Sequence, residues 1–266
     1  MAHYRLSMKN GKAGGAVANF QYNMGIGKYS YKENEIITSF NNIPEWAESP
    51  ADFWEKYSLE DRANSSYKKI ELSLQDELSL EENLKILNEF IEKNIGKDFY
   101  YSVVIHDKES NEKGIQNTHA HIMICKRKED GIKRTPEQFF KRYNSNYPER
   151  GGAKKDRYWN NSKMFFHVRK EMEKCINERL EEKGLEKVSC ETLKAQRLVA
   201  LSAGDILKAE FLDRPPVNCP GSILMKINKY GIESLTENEK EQYNLYLTTK
   251  EIRKISLEEY QRKLQE

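Results

Sequence analysis

The chain has 266 residues and a formal net charge of +2, so its length fits one large domain or a domain with an extension, and its overall charge does not mark a nucleic-acid-binding protein. Four scattered cysteines without a CxxC pair argue against a zinc knuckle or a redox motif and favour reduced thiols. No apolar run approaches the roughly 18 residues of a membrane span and no signal peptide is recognisable, so we expect a soluble, cytoplasmic protein.

The N-terminal part of the chain predicts a strand followed by a short helix. Residues 2–8 have the composition of a strand, and apolar residues at helical spacing predict a helix over 14–25 that ends at Gly25. Tyr22 lies off the apolar stripe of this helix, near its C-terminus. The next segment, 32–44, is expected to be irregular.

Strands and helices continue without regular βαβ repeats, which predicts an α+β fold. Serines at 49 and 79 are expected N-caps. The further predicted elements are helix 50–57, strand 66–75, helix 79–94, strands 99–106 and 118–127, a short helix from 135, and a long helix over 162–183. A breaker cluster at 213–221 and a charged helical pattern beyond it, with capping boxes at Thr236 and Ser256, predict a mainly helical C-terminal extension. We therefore expect two domains, 1–190 and 191–266.

Three of the five histidines fall within 16 residues. His106 ends one predicted strand, and His119 and His121 open the next. Side chains at i and i+2 of a strand lie on the same face, and a neighbouring strand can bring His106 beside them. Three neutral imidazoles that converge with room for a further ligand are typical of an open catalytic metal site. A His-x-His pair beside a third histidine is typical of sites that take Zn²⁺, Mn²⁺ or Ni²⁺, and also Mg²⁺ when a substrate phosphate supplies oxygen ligands. We expect Mn²⁺ or Mg²⁺, with Ni²⁺ or Zn²⁺ also able to occupy the site. His3 and His167 are expected to be structural.

Basic and aromatic residues are interleaved between 126 and 158, where eleven Lys and Arg face five acids. Cations that follow a phosphate backbone and rings that stack on bases are typical of single-strand binding. The alternative is a solvated loop with core aromatics. The glycine-containing stretch 150–155 is expected to be a flexible loop that orders on DNA. The candidate DNA-binding residues are Lys28, Lys126, Arg127, Lys133, Arg134, Lys141, Arg142, Tyr143, Lys154, Lys155 and Arg157.

An early tyrosine, Tyr22, precedes the His-Ala-His motif in the chain. The accompanying motifs are GKY at 27–29, PADFW at 50–54, EDRAN at 60–64, KIELSL at 69–74, FKRYN at 140–144 and GGAK at 151–154. In their order over roughly the first 185 residues, these motifs resemble the MobA/MobL family of plasmid mobilization relaxases, within the HUH endonuclease superfamily. The chain departs from the family at Gln75, where proline is common, and at 201–207, where a histidine-containing stretch is missing.

The resemblance implies a central antiparallel sheet with a ferredoxin-like palm, with the histidines on one face and Tyr22 on a helix beside it. It assigns Tyr22 as the nucleophile that forms a 5′-phosphotyrosine, His106, His119 and His121 as metal ligands, and Glu71 as an acid that orients a ligand histidine. It implies nicking and rejoining of single-stranded DNA at a plasmid transfer origin. The implied partners are accessory relaxosome proteins and a type IV secretion coupling protein, in a bacterial cytoplasm with a plasmid-borne gene.

Other functions stay open at this point. A rolling-circle replication initiator would use a downstream tyrosine such as Tyr143, Tyr147 or Tyr158. A non-catalytic origin-binding protein would carry the histidines for structural reasons. A generic metallohydrolase explains neither the basic aromatic segment nor the ordered motifs.

Overall fold

The computed structural model describes residues 4–61, 66–109 and 116–266. The strands are β1 Leu6–Gly11, β2 Ile36–Asn42, β3 Tyr67–Ser73, β4 Phe99–Glu109 and β5 Gln116–Lys128. They form one sheet in the order β1-β3-β5-β4-β2, in which β1 with β3, β3 with β5, and β2 with β4 pair antiparallel. The flanking helices are α1 Ala16–Asn23, α2 Pro50–Glu60, α3 Leu80–Asn94, α4 Pro136–Phe139 and α5 Ser162–Glu182. This arrangement confirms the predicted α+β class.

One face of the sheet packs against α3 and α5. Ile70 of β3 lies opposite Ile122 of β5, and both are almost completely buried. They join a core that includes Phe90 of α3 and Met172 of α5. The Ser79 cap of α3 and its capping box with Glu82 are present as predicted. This face is therefore filled by apolar packing.

The opposite face of the sheet packs against α1 and α2. Tyr67 of β3 lies opposite Cys125 of β5, and both are buried with Phe20 of α1 and Trp54 of α2. Because successive strand residues alternate between faces, His119 and His121 lie on the same side as Cys125. The register of β5 thus directs the histidines toward the side covered by α1.

The helix α1 ends in a turn that requires glycine. Gly25 has φ of 57°, and a Cβ at that position would lie 2.8 Å from the backbone nitrogen of Glu33. Both the left-handed conformation and the close approach favour a residue without a side chain. The turn folds the following 3₁₀ segment, Gly27–Glu35, back against α1.

The prediction for residues 32–44 is wrong over most of its length, because Ile36–Asn42 forms β2. This strand lies at the edge of the sheet and pairs only with β4 among the described strands. Its residues alternate between half-buried and exposed, so it lacks the apolar run of a central strand. The first strand also differs from its prediction, since it starts at Leu6 and continues to Gly11. His3 and residues 62–64 of the EDRAN motif lie outside the described residues.

Residues 151–153 of the stretch 150–155 are buried, and this packing does not favour the predicted flexible loop. A Cβ on Gly152 would lie 2.0 Å from the carbonyl oxygen of Lys141, and one on Gly151 would lie 2.4 Å from the backbone nitrogen of Asn144. The Gly152 N–H donates to the Arg142 carbonyl at 3.1 Å. The glycines at these two positions permit close contact between backbones.

The described residues divide into two compact units, of which the first contains the chain up to Lys108 and from Gln116 to Cys190, and the second contains Glu109 and Glu191–Glu266. The second contains α6 Leu193–Ser202, α7 Ile206–Leu212, α8 Gly221–Tyr230 and α9 Glu237–Lys263. The capping box at Thr236 is present, but Ser256 lies inside α9, where its hydroxyl donates to the Ile252 carbonyl. The mainly helical character agrees with the sequence pattern, while independent folding of 1–190 and 191–266 stays a prediction. Within the described residues, no helix is both long and apolar enough to cross a bilayer.

Candidate metal centre and nucleophile

Three histidines converge on the face of the sheet beside α1. His106 extends from β4, and His119 and His121 extend from β5. Their ring centroids lie 4.8 to 5.4 Å apart, and one ring nitrogen of each lies within 4.8 Å of those of the other two. The cluster that the sequence predicted is therefore brought together by the pairing of two strands.

Backbone carbonyls hold two of these rings. The Nε2 atom of His106 donates to the carbonyl of Asn23 at 2.5 Å, and Nδ1 of His119 donates to the carbonyl of Asn117 at 2.8 Å. The Nδ1 atom of His106 is buried and has no hydrogen-bond partner among the residues that the structure describes. One fixed ring nitrogen beside a free one is the usual state of a metal-binding histidine, because the fixed nitrogen sets the tautomer and orientation. The donor set and the unpartnered nitrogen fit a divalent cation.

Burial lowers the pKa of all three histidines. The pKa of His106 falls to about 4, where the hydrogen bond to Asn23 opposes the shift and the charge of Lys32 adds to it. The pKa of His121 falls to about 2 through burial and then through its two histidine neighbours. The pKa of His119 is also lowered, chiefly by burial. The three imidazoles are therefore neutral at pH 7, which is the protonation state that binds metal.

Tyr22 and His121 line one open cleft. Its walls come from α1, β1, β3 and β5. The lining residues are Ser7, Lys9, Asn19, Tyr22, Asn23, Lys69, Ile70, Glu71, His121, Ile122 and Met123. The Tyr22 ring is half-buried and makes an edge-to-face contact with Tyr29, with 5.3 Å between the ring centroids. Since Asn23 binds His106 and follows Tyr22 in the chain, α1 ties the tyrosine to the histidine cluster.

Glu71 lies beside the cluster but does not orient a histidine as the resemblance implied. It is the cross-strand partner of His121 and lines the same cleft. Its carboxylate makes a 4.0 Å ion pair with Arg5 and, among the described residues, no hydrogen bond to a histidine. The carbonyls of Asn23 and Asn117 provide that orientation.

Sequence reasoning missed two kinds of residue in the site. Lys9 and Lys69 are cross-strand partners that line the cleft, and their strand alternation with Glu71 could have indicated this. Lys32 and Glu35 come from the 3₁₀ segment after α1. No periodic pattern in that segment marks them.

The prediction of DNA binding is wrong for three of the cations, because the fold buries their side chains and pairs them with other residues. Arg127 donates to Asp61 at 3.1 Å and to the carbonyls of three residues of the following segment. Arg134 forms a bidentate pair with Asp130 at 2.6 and 2.9 Å. Lys126 is 1% exposed and donates to Asn160 at 2.8 Å. These side chains stabilise the segment that follows β5.

The other predicted cations stay available. Lys155 is partly exposed and forms a 2.8 Å ion pair with Asp61. Tyr143 is half-buried, with Lys154 Nζ 5.7 Å from its ring centroid. The exposed candidates are Lys28, Lys133, Lys141, Arg142, Lys154 and Arg157.

The aromatic residues of the same segment divide between core and surface. Phe139 and Phe140 are buried beside α2, and Trp159 is buried on the other face of the sheet. Tyr147 and Tyr158 are exposed, and Arg150 lies 4.8 Å over the Tyr147 ring. The phenylalanines and the tryptophan therefore belong to the fold, and the tyrosines are accessible for stacking.

The chain is similar to known proteins in both sequence and fold. The sequence pattern of the MobA/MobL family matches residues 15–203. The chain is 37% identical over 153 residues to a 43 kDa relaxation protein of Salmonella typhimurium, covering 56% of this chain and 41% of that protein. It is also 37% identical over 161 residues to Mobilization protein A of Escherichia coli, covering 58% of this chain and 22% of that protein. The matches thus span less than half of either relative.

A solved structure supports the fold. The structure described as "Molecular Basis of Vancomycin Resistance Transfer in Staphylococcus aureus" aligns with 71% of this chain and 99% of its own, with a TM-score of 0.50 and 24% identity. Similarity at this identity concerns the fold alone. Since the family pattern covers well over half of the sequence and includes Tyr22 and the three histidines, the chain belongs to the MobA/MobL family.

Proposed function

We propose that the protein is a mobilization relaxase that cuts and rejoins one DNA strand at a plasmid transfer origin, with Tyr22 as nucleophile. The names of the two relatives, a relaxation protein and a mobilization protein, agree with this role. One observation carries the proposal. Tyr22 and His121 line the same cleft, and His121 belongs to a cluster of three neutral histidines with one ring nitrogen of each within 4.8 Å of those of the other two.

The metal site would consist of His106, His119 and His121, leaving positions for substrate oxygens. A divalent ion held there would neutralise the charge of the scissile phosphate and favour in-line attack. Mn²⁺ and Mg²⁺ are the proposed ions, with Ni²⁺ or Zn²⁺ as possible occupants. The protein's own part is to keep the imidazoles neutral and oriented, through burial and through the carbonyls of Asn23 and Asn117.

The reaction is a transesterification. The Tyr22 oxygen forms a bond to the scissile phosphorus, and the bond from phosphorus to the 3′ oxygen breaks. The phenol proton is lost to solvent and the departing 3′ oxygen takes up a proton, so the step is balanced. Because the phosphotyrosine retains the bond energy, a 3′ hydroxyl can reverse the reaction and reseal the strand.

The DNA strand would reach the cleft along cations on the surface. Lys9 and Lys69 line the cleft together with Glu71 and form a directly opposed cross-strand pair of like charges. Like charges in opposed positions repel, and a bound phosphate would relieve that repulsion. The exposed cations after β5 would extend this contact, with Tyr143, Tyr147 and Tyr158 as stacking rings. Accessory relaxosome proteins and a type IV secretion coupling protein are the proposed partners in a bacterial cytoplasm.

The experiment is a denaturing gel of the protein with a degenerate single-stranded DNA pool, in Mn²⁺ and in chelator. We expect a metal-dependent covalent adduct that is lost in Tyr22→Phe. Tyr31→Phe is the matched control, since Tyr31 lies on the adjacent segment and is 70% exposed. An adduct that survives Tyr22→Phe but is lost in Tyr147→Phe or Tyr158→Phe would instead favour a replication initiator.

The metal is tested by calorimetric titration of the metal-free protein with Mn²⁺. His121→Ala should weaken binding and abolish the adduct, because it removes one of three ligands. His167→Ala should change neither, since His167 is an exposed residue of α5. DNA binding that is equal in chelator and never gives an adduct would favour a non-catalytic origin-binding protein.

A further inference from the structure

Lys32 is a buried lysine beside the candidate nucleophile. It lies in the 3₁₀ segment Gly27–Glu35 and is 4% exposed. Lysine is almost never fully buried without a partner, because removing an ammonium from water is costly. The surroundings of Lys32 should therefore explain why its charge is kept there.

The ammonium of Lys32 contacts the face of the Tyr22 ring. Its Nζ atom lies 3.9 Å from the ring centroid. The other cation–ring contacts among the described residues range from 4.8 to 5.7 Å. A cation at this distance, shielded from water, is strongly attracted to the ring.

A carboxylate links Lys32 to the metal-ligand cluster. Glu35 Oε2 lies 3.3 Å from Lys32 Nζ and 3.9 Å from Nδ1 of His106. Glu35 is partly buried, so this ion pair is only partly screened by solvent. The turn at Gly25 brings the whole segment back over α1, which brings Lys32 onto Tyr22 and Glu35 onto His106.

We propose that Lys32 is a positioning residue that acts through Tyr22, a role that rests on the proposed function. Its ammonium holds the Tyr22 ring beside the cleft, and Glu35 holds the ammonium. As the Tyr22 oxygen loses its proton for attack, negative charge develops on it and spreads into the ring, which strengthens the attraction to the cation. The contact therefore favours the reacting state of Tyr22 over its resting state.

The kinetic test uses the oligonucleotide that the wild-type protein cleaves. Lys32→Met keeps the length of the side chain and removes its charge, and it should slow single-turnover cleavage by on the order of tenfold to thirtyfold. Lys32→Arg should recover most of the rate. Binding of DNA in chelator should stay within about twofold of wild type, because Lys32 acts on the chemical step.

The matched control is Lys56→Met. Lys56 also combines a ring contact, 5.6 Å from the Trp46 centroid, with a 2.9 Å pair to the carboxylate of Asp52. It lies on α2, outside the cleft lining. The single-turnover cleavage rate of Lys56→Met should equal that of wild type.

A second readout needs neither DNA nor metal. In protein with ¹³C-labelled tyrosine rings, the Tyr22 resonance is identified by its loss in Tyr22→Phe. It should shift in Lys32→Met and stay unchanged in Lys56→Met. If Lys32→Met does not fold, Glu35→Gln takes its place, since it frees Lys32 from its anchor and should shift the same resonance and slow cleavage.

The outcomes separate the two proposals. A wild-type adduct lost in Tyr22→Phe, together with a wild-type rate and an unchanged Tyr22 resonance in the folded Lys32 or Glu35 variant, overturns the role of Lys32 alone. A slowed Lys32→Met variant that Lys32→Arg does not rescue overturns the requirement for charge. Absence of any wild-type adduct overturns the proposed function itself.

Discussion

Two arginines, Arg127 and Arg142, have different roles in this protein, because the first is buried and the second is exposed. Arg127→Met should lower the free energy of unfolding by about 3 kcal/mol or more, because it removes one of the cations paired with the buried Asp61 carboxylate and the donor to three backbone carbonyls. Arg142→Met should change it by less than about 0.5 kcal/mol, since Arg142 is exposed. Urea denaturation measures both. Equal losses would contradict the structural role of Arg127.

The site residues differ in how far the sequence could predict them. His119 and His121 are two apart on one strand, so their common face follows from strand geometry alone. Tyr22 was assigned through the family resemblance, since one tyrosine among fifteen has no distinguishing spacing. The position of Lys32 beside Tyr22 could not be predicted, because the turn at Gly25 sets it. The burial of Arg127 likewise depends on where a later segment packs.

The depressed histidine pKa values predict a pH effect on stability. In the unfolded chain, histidines take up protons as the pH falls below about 6.5. In the folded protein, His106 resists protonation down to about pH 4, and His121 down to about pH 2. The unfolded state therefore binds more protons in this window, and the free energy of unfolding should decrease as the pH falls from 7 toward 5.

The measurement is urea denaturation in chelator at pH 7 and pH 5 for wild type and His121→Asn. The loss of stability on acidification should be smaller in the variant, because one buried neutral imidazole has been removed. His167→Ala should show the wild-type loss, since that residue is exposed. An identical loss in all three proteins would mean that other groups carry the pH dependence.

Among the secondary-structure elements, burial explains which ones could be predicted. The central strands β3 and β5 and the helices α3 and α5 have apolar patterns that follow from packing against one core. The edge strand β2 lacks such a pattern, because β4 alone pairs with it among the described strands and alternate residues are exposed. Strand order could not be predicted either, since β3 pairs with β1 and β5 rather than with a strand adjacent in the chain.

The segment after β5 should contribute to the salt dependence of binding to single-stranded DNA. Arg142 and Lys154 are exposed on it, so each can contact a phosphate of single-stranded DNA. Each lost contact should reduce the magnitude of the slope of log affinity against log salt by about 0.7 for a single strand. The slope of the double variant Arg142→Met, Lys154→Met should therefore be smaller by about 1.4. Fluorescence anisotropy at several salt concentrations measures the slope. Lys174→Met, an exposed cation on α5, should leave it unchanged; a reduction there would point to nonspecific attraction.

At the scale of the whole molecule, the candidate site residues lie in one of the two compact units. The first contains Tyr22, the three histidines and the exposed cations after β5. Its core unites the sheet with α3 and α5, and Cys190 at its end is tied to α5 by a hydrogen bond from its N–H to Glu173 at 3.0 Å. In the second unit, a small cluster forms around Ala200, Ala209 and Leu212. Small cores give marginal stability, so the two units should differ strongly when separated.

A fragment of residues 1–191 should therefore unfold cooperatively and form the metal-dependent adduct with Tyr22. The cut keeps the Glu173 contact of Cys190 and removes α6 to α9. A fragment of residues 1–204 is the informative comparison, because the family match extends to residue 203 and so includes α6. Melting followed by circular dichroism and the denaturing gel are the measurements. If both fragments fold but only the longer one forms the adduct, α6 belongs to the catalytic unit and the predicted boundary at residue 190 is wrong.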